Sequence, residues 1–141
     1  RTGRGIPLIG TYRELLERFQ PLRQAHANVG VLADAYHLYA SGEDVEEALA
    51  WGEGEVVWVH VADPAVPDRS TLRDDDRLLP GECESGLSGR LLEALQRAGC
   101  DAPVTAEPLA ASPSFTDEDV RERARKTRAA LDRIWPSRMA S

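Results

Sequence analysis

The chain has 141 residues, 42% of them apolar and 29% charged, with 24 acidic against 17 basic side chains and a net charge of −7. That is the make-up of one folded domain, taken as a single unit over residues 1–141 and large enough to bury a core. An acidic balance argues against a nucleic-acid partner, which needs basic surface to displace phosphate counterions, and no apolar run nears the roughly 18 residues of a membrane span.

Arg1-Thr2-Gly3-Arg4-Gly5 has no initiating Met and no apolar signal segment, the pattern of a fragment or a processed product. Thr11 can cap a helix over residues 12–25, with Leu15, Leu16, Phe19 and Leu22 on one side and a kink or split at Pro21. Residues 29–34 form a short apolar run ending in an acid, as a buried strand does. Residues 43–51 predict a short helix with Val45, Ala48 and Leu49 at helical spacing. Residues 55–61, rich in β-branched side chains, predict a second strand. A helix over 87–98 follows, with Leu91, Leu92 and Leu95 inward and Gly99 as its stop. Residues 103–107 predict a weaker third strand. Thr116 then caps a last helix, with Asp117, Glu118 and Asp119 in the first turn, where the helix dipole favours acids. Val120, Ala124, Leu131 and Ile134 line one face of it and Pro136 ends it. The basic residues Arg121, Arg123, Arg125, Lys126 and Arg128 alternate with acids and predict a solvated helix face. Cys83 and Cys100 are isolated in sequence, which gives no disulfide framework and points to a reducing cytoplasm.

Near-continuous apolar strands between helices predict a parallel sheet covered by helices and joined through right-handed βαβ units. Three strands cannot close a barrel, and a three-stranded parallel sheet leaves two bare edges. Either this is a small three-layer domain or strands are missing from it. Bare edges predict self-association of the isolated chain. The connections over residues 62–86 and 108–114 are long, and long loops after strands are where α/β folds place their chemistry.

The three strands end in Asp34, His60 and Glu107. All can bind metal, and the carboxyl ends of parallel strands share one rim, so the three can converge. Each alone has a plainer reading: an acid after a strand commonly caps a helix, and a single histidine there is commonly a satisfied polar residue. Recurrence at three consecutive strands favours the shared site. His37, three residues after Asp34, can turn into it as a donor to substrate or ligand, or be a loop histidine. Asp63 can hold an imidazole or a substrate hydroxyl, or start the turn before Pro64; the turn is preferred.

Four segments in order, Asp34-Ala-Tyr-His37-Leu-Tyr, Val59-His60-Val-Ala-Asp63, Asp76-Arg77-Leu-Leu-Pro80-Gly81-Glu82 and Val104-Thr-Ala-Glu107-Pro108, resemble the C-terminal half of the sugar-phosphate isomerase/epimerase superfamily. These are the xylose isomerase-like TIM barrels, which include ketose 3-epimerases, hydroxypyruvate isomerase, inosose dehydratase and the endonuclease IV group. The resemblance spans about residues 11–135. It implies an α/β fold, a partial (β/α)8 TIM barrel in which the three parallel strands are barrel strands six to eight, with four helices. It implies a metal held by Glu, Asp, His and Glu on strands five to eight, of which Asp34, His60 and Glu107 match the last three. The first Glu would lie upstream of Arg1, and neither Glu14 nor Glu17 fits it. His37 matches the substrate-contacting histidine of the family's D-x-[FY]-H motif, and Arg77 an arginine that contacts substrate oxygens in epimerase-like members. Two departures bear on the subgroup: Cys83 stands where a second glycine is common, and Trp58 where the first histidine of an H-x-H pair is common.

The implied activity is isomerisation or epimerisation of a small sugar, sugar phosphate or related polyol through an enediolate. Two carboxylates and an imidazole suit Mn²⁺ or Mg²⁺, with Co²⁺ or Zn²⁺ as further candidates. Glu107 is then both ligand and general base on one face of the carbon, the upstream Glu serves the other, and His37 and Arg77 orient hydroxyls. The expected partners are a sugar and either the missing N-terminal half-barrel or further copies of the chain, with neither nucleic acid nor membrane. Two alternatives stand beside this: a dehydratase of an inosose- or dehydroshikimate-like substrate on the same scaffold, and an inactive partial barrel. A nuclease of the endonuclease IV type would need more metal ligands than His26, His37 and His60 supply.

Overall fold

The computed structural model of the chain describes residues 9–50 and 54–135. The expected helix ends at Trp51 and Pro136, the opening residues, and the side chains of Ala48 and Leu49 lie outside the described part. Three strands form one sheet: β1 (Val31–Asp34), β2 (Val56–Val61) and β5 (Val104–Ala106), in the order β1-β2-β5 and parallel throughout. Among the described residues five α-helices accompany them: α1 (Tyr12–Ala25), α2 (Ala35–Ser41), α3 (Val45–Ala50), α4 (Leu87–Arg97) and α5 (Val120–Ile134). None is long and apolar enough to cross a membrane among the described residues. The α/β class and the parallel sheet match the sequence expectation.

The helix count is one higher than expected, because α2 starts directly after β1. Asp34 is its N-cap, the Oδ1 carboxylate oxygen accepting from the backbone N–H of His37 at 3.1 Å, and Gly42 ends it in the left-handed region. Pro21 does not split α1, which runs through it as one helix. Thr11 caps α1 as expected, accepting from the N–H of Glu14 at 3.1 Å. The last helix starts later than expected. Asp119, not Thr116, is its cap, so Val120 falls in the first turn and is 82% exposed, while Ala130 is the residue α5 buries.

The core lies between the outer face of the sheet and the helices. Val59 and Val61 of β2 pack with Leu38, Val45, Leu91 and Leu95, an apolar cluster whose removal from water is the main force holding the layers together. α1 is different. It buries no residue fully: half-buried Tyr12 packs against the cluster, the Tyr12 N–H reaches the Glu43 carboxylate and Arg23 pairs with Glu55.

The long connection after β2 is not structureless. It carries β3 (Asp63–Pro64), a 3-10 turn at Asp74–Asp76 and β4 (Arg77–Leu78), which pairs antiparallel with β3. The second long loop is sewn to it: Ser114 Oγ accepts from the N–H of Leu79 at 2.8 Å and Ser112 Oγ donates to the carbonyl of Arg77. Together they lay β4 near the carboxyl ends of the sheet strands.

Candidate metal centre

The register of the sheet sets Asp34 opposite His60 and His60 opposite Thr105. Neighbours in register point to the same face, and Glu107, two residues beyond Thr105, returns to it. Trp58 shares that face two residues earlier and donates through Nε1 to Thr105 Oγ1 at 3.0 Å. Asp34, His60 and Glu107 thereby offer one oxygen, one nitrogen and one oxygen within 4.8 Å of one another. His60 Nδ1 lies 3.3 Å from Glu107 Oε2 and 3.8 Å from Asp34 Oδ2.

Asp34 caps α2 and still faces the cluster. One oxygen caps α2 and the other faces the cluster, 3.8 Å from His37 Nε2 as well as from His60. Its residue is 3% exposed, whereas the Glu107 side chain is 34% exposed and that of His37 59%. The rim is therefore closed beneath Asp34 and open towards His37 and Glu107.

Arg77, carried in by β4, completes the arrangement. Its Nη1 donates to Glu107 Oε2 at 2.9 Å and lies 3.4 Å from Asp34 Oδ2, and Nη2 is 3.1 Å from His37 Nε2. Tyr36 supports it from behind, its ring centroid 4.4 Å from the guanidinium carbon and its hydroxyl donating to the carbonyl of Arg73. Burial, reinforced by the nearby Asp76 charge, pushes the Tyr36 phenol up to about 12. Sequence reasoning did not single out Tyr36. Its place beside His37 in the Asp34-Ala-Tyr-His37 segment was the available signal.

Asp63 stays apart from the cluster. Its carboxylate is fully buried and accepts from the N–H groups of Gly81, Cys83 and Ser88 and from Ser88 Oγ, at 2.8, 3.2, 3.0 and 2.6 Å. It thus orders the segment from Gly81 to the start of α4.

The donor set suits a divalent ion. Bonds of about 2.1 Å place donors about 3 Å apart at right angles and at most about 4.2 Å apart across the ion, so the three side chains must draw together to hold one. The model of one protein family, the xylose isomerase-like TIM barrel, matches residues 2–134. The chain belongs to that family. Solved structures of similar fold include a xylose isomerase domain protein from Alicyclobacillus acidocaldarius (31% identity, TM-score 0.74, covering 94% of this chain and 45% of that one). An IolI protein with a bound zinc atom (22% identity, TM-score 0.73, 89% and 43%) is similar too, as is D-psicose 3-epimerase with D-tagatose from Clostridium cellulolyticum H10 (20%, TM-score 0.67, 92% and 44%). No curated protein matches. This xylose isomerase-like chain spans less than half the length of each of these structures.

Proposed function

We propose that the chain supplies the metal-holding rim of a divalent-metal-dependent isomerase or epimerase of a small sugar, sugar phosphate or related polyol. The reading rests on one observation, the convergence of Asp34, His60 and Glu107 within 4.8 Å. The zinc of the IolI protein and the ketose of the psicose epimerase, both similar in fold, lend it support.

Asp34, His60 and Glu107 hold the ion: Mn²⁺ or Mg²⁺ by the balance of oxygen donors, with Co²⁺ or Zn²⁺ also suited. The ion supplies Lewis acidity that stabilises negative charge developing on a ketose carbonyl oxygen. Glu107, half-exposed at the rim, takes the proton from the carbon beside that carbonyl. Arg77 and His37 donate to substrate oxygens and fix which carbon faces Glu107. Proton transfer on the opposite face needs a group from the rest of the barrel, supplied by an N-terminal half or by a further copy of the chain. The free thiols of Cys83 and Cys100 suit a reducing cytoplasm.

Calorimetric titration with Mn²⁺ tests the metal reading. One site per chain is expected, weakened at least about tenfold by each of Asp34→Asn, His60→Ala and Glu107→Gln. Absence of a site, or a site indifferent to all three changes, rules it out. In the completed barrel, deuterium from solvent should enter the ketose without loss of water; loss of water would instead make the enzyme a dehydratase.

A further inference from the structure

We propose that Arg77 is a resident counter-cation, holding Asp34 and Glu107 together before a divalent ion enters and setting how tightly that ion binds. This rests on the metal reading above.

Arg77 is 4% exposed, and its Nη1 lies within 3.4 Å of Asp34 Oδ2 and 2.9 Å of Glu107 Oε2. Those are the same two oxygens that lie within 3.8 Å of His60 Nδ1. Two carboxylates so close repel each other, and one guanidinium lodged on both cancels half of that charge. The arginine is not there by chance packing. The Tyr36 ring lies over the guanidinium, Ser112 grips the Arg77 carbonyl, and the buried Nε has no hydrogen-bond partner among the described residues. A buried N–H left unpaired is costly, so the fold tolerates a loss at Nε in order to aim the Nη fork at the carboxylates.

The consequence follows from Coulomb's law. A fixed positive charge near a divalent cation opposes its arrival, strongly so where little water intervenes. Arg77 therefore preorganises the ligands and lowers metal affinity at the same time.

The test is Mn²⁺ affinity, read as free Mn²⁺ by electron paramagnetic resonance, for the wild type, Arg77→Gln, Arg77→Met and Arg77→Lys. The Gln and Met variants should bind at least about tenfold tighter and Arg77→Lys within about threefold of wild type, because it keeps the charge. The Gln and Met variants should also gain more thermal stability from Mn²⁺ than the wild type does, since they leave buried Asp34 and half-exposed Glu107 uncompensated without it. Equal or weaker Mn²⁺ binding in both neutral variants overturns the proposal while leaving the metal reading intact. No Mn²⁺ binding in any of the four proteins removes both. Should the neutral variants fail to fold, Zn²⁺ titration of the wild type followed by the Arg77 side-chain ¹⁵N resonances, assigned by their loss in Arg77→Lys, decides the matter. A shift as the site fills is expected, and bound Zn²⁺ with unshifted resonances overturns the proposal.

Discussion

The Tyr12 hydroxyl accepts from the backbone N–H of Asp34 at 2.8 Å and donates to the carbonyl of Leu32, taking two groups by which β1 would hold another parallel strand. Val31 directs its N–H to Glu55 on the β2 side, so in the alternating pattern of a strand the polar groups of residues 32 and 34 point to the free edge. The chain thus closes part of its own sheet edge with a side chain from α1. Tyr12→Phe should reopen it, costing about 1–2 kcal/mol for the lost bonds and raising self-association through the exposed edge. Urea unfolding and light scattering check both. A Tyr12→Phe protein as stable and as monomeric as wild type would show that the hydroxyl does not guard the edge.

Asp63 gives a sharper stability prediction. Each of its oxygens meets only donors: Gly81 and Cys83 N–H on one side, Ser88 N–H and Oγ on the other. Asp63→Ala leaves buried donors unpaired and should cost about 3 kcal/mol or more. Asp63→Asn should do little better, because its NH₂ must face a pair of donors whichever way the amide turns. Denaturant midpoints measure this, and a near-wild-type Asp63→Asn would refute it.

Much of the sheet and most of the rim were legible in the sequence, because β-branched runs such as Val56-Val57 and Val59 declare a strand and the residue at its end follows by counting. What escaped was set by contacts across the chain. Asp34 looked like either a cap or a ligand, and only the three-dimensional structure shows that one oxygen caps α2 while the other is left facing His60. Asp63 looked like a turn former, yet its four donors come from 18 to 25 residues away. Tyr36 lies on a seven-residue helix, too short to announce itself by periodicity, and its partner Arg77 reaches it through a hairpin in a loop whose residues carry no strand pattern. The start of α5 was misplaced because Thr116 and Asp119 are both good caps and nothing local chooses between them.

Tyr36 makes the fold sensitive to alkali. Burial raises its phenol from 10.0 to about 12, so the folded chain keeps the proton after the unfolded chain has lost it. The stabilisation is complete below pH 10.0 and is lost as pH rises through about 12. Burial pushes the Tyr12 phenol the same way, so the comparison with Tyr36→Phe is what isolates Tyr36. The stability difference between wild type and Tyr36→Phe should shrink steadily across that window, as read from urea unfolding at a series of pH values. A difference constant over the window would mean that Tyr36 ionises equally in both states.

Gly81 and Gly86 separate two costs of adding a methyl group. Both have positive φ, at 82° and 59°, where a side chain is strained. At Gly81 a Cβ would also lie 2.6 Å from Ile134 Cγ2 at the end of α5, whereas at Gly86 nothing among the described residues stands within 4 Å. Ile134 is β-branched and stiff at χ1, so the contact can be relieved only by shifting α5. Gly86→Ala should therefore cost about 1 kcal/mol for backbone strain alone, and Gly81→Ala that amount plus about 1–3 kcal/mol for overpacking. Trimming the neighbour tests the assignment, since Ile134→Ala in the Gly81→Ala background should recover the second part and leave the first. If the double variant is no more stable than additivity of the two single changes predicts, the two residues are not in contact and α5 does not rest on the Pro80-Gly81 turn.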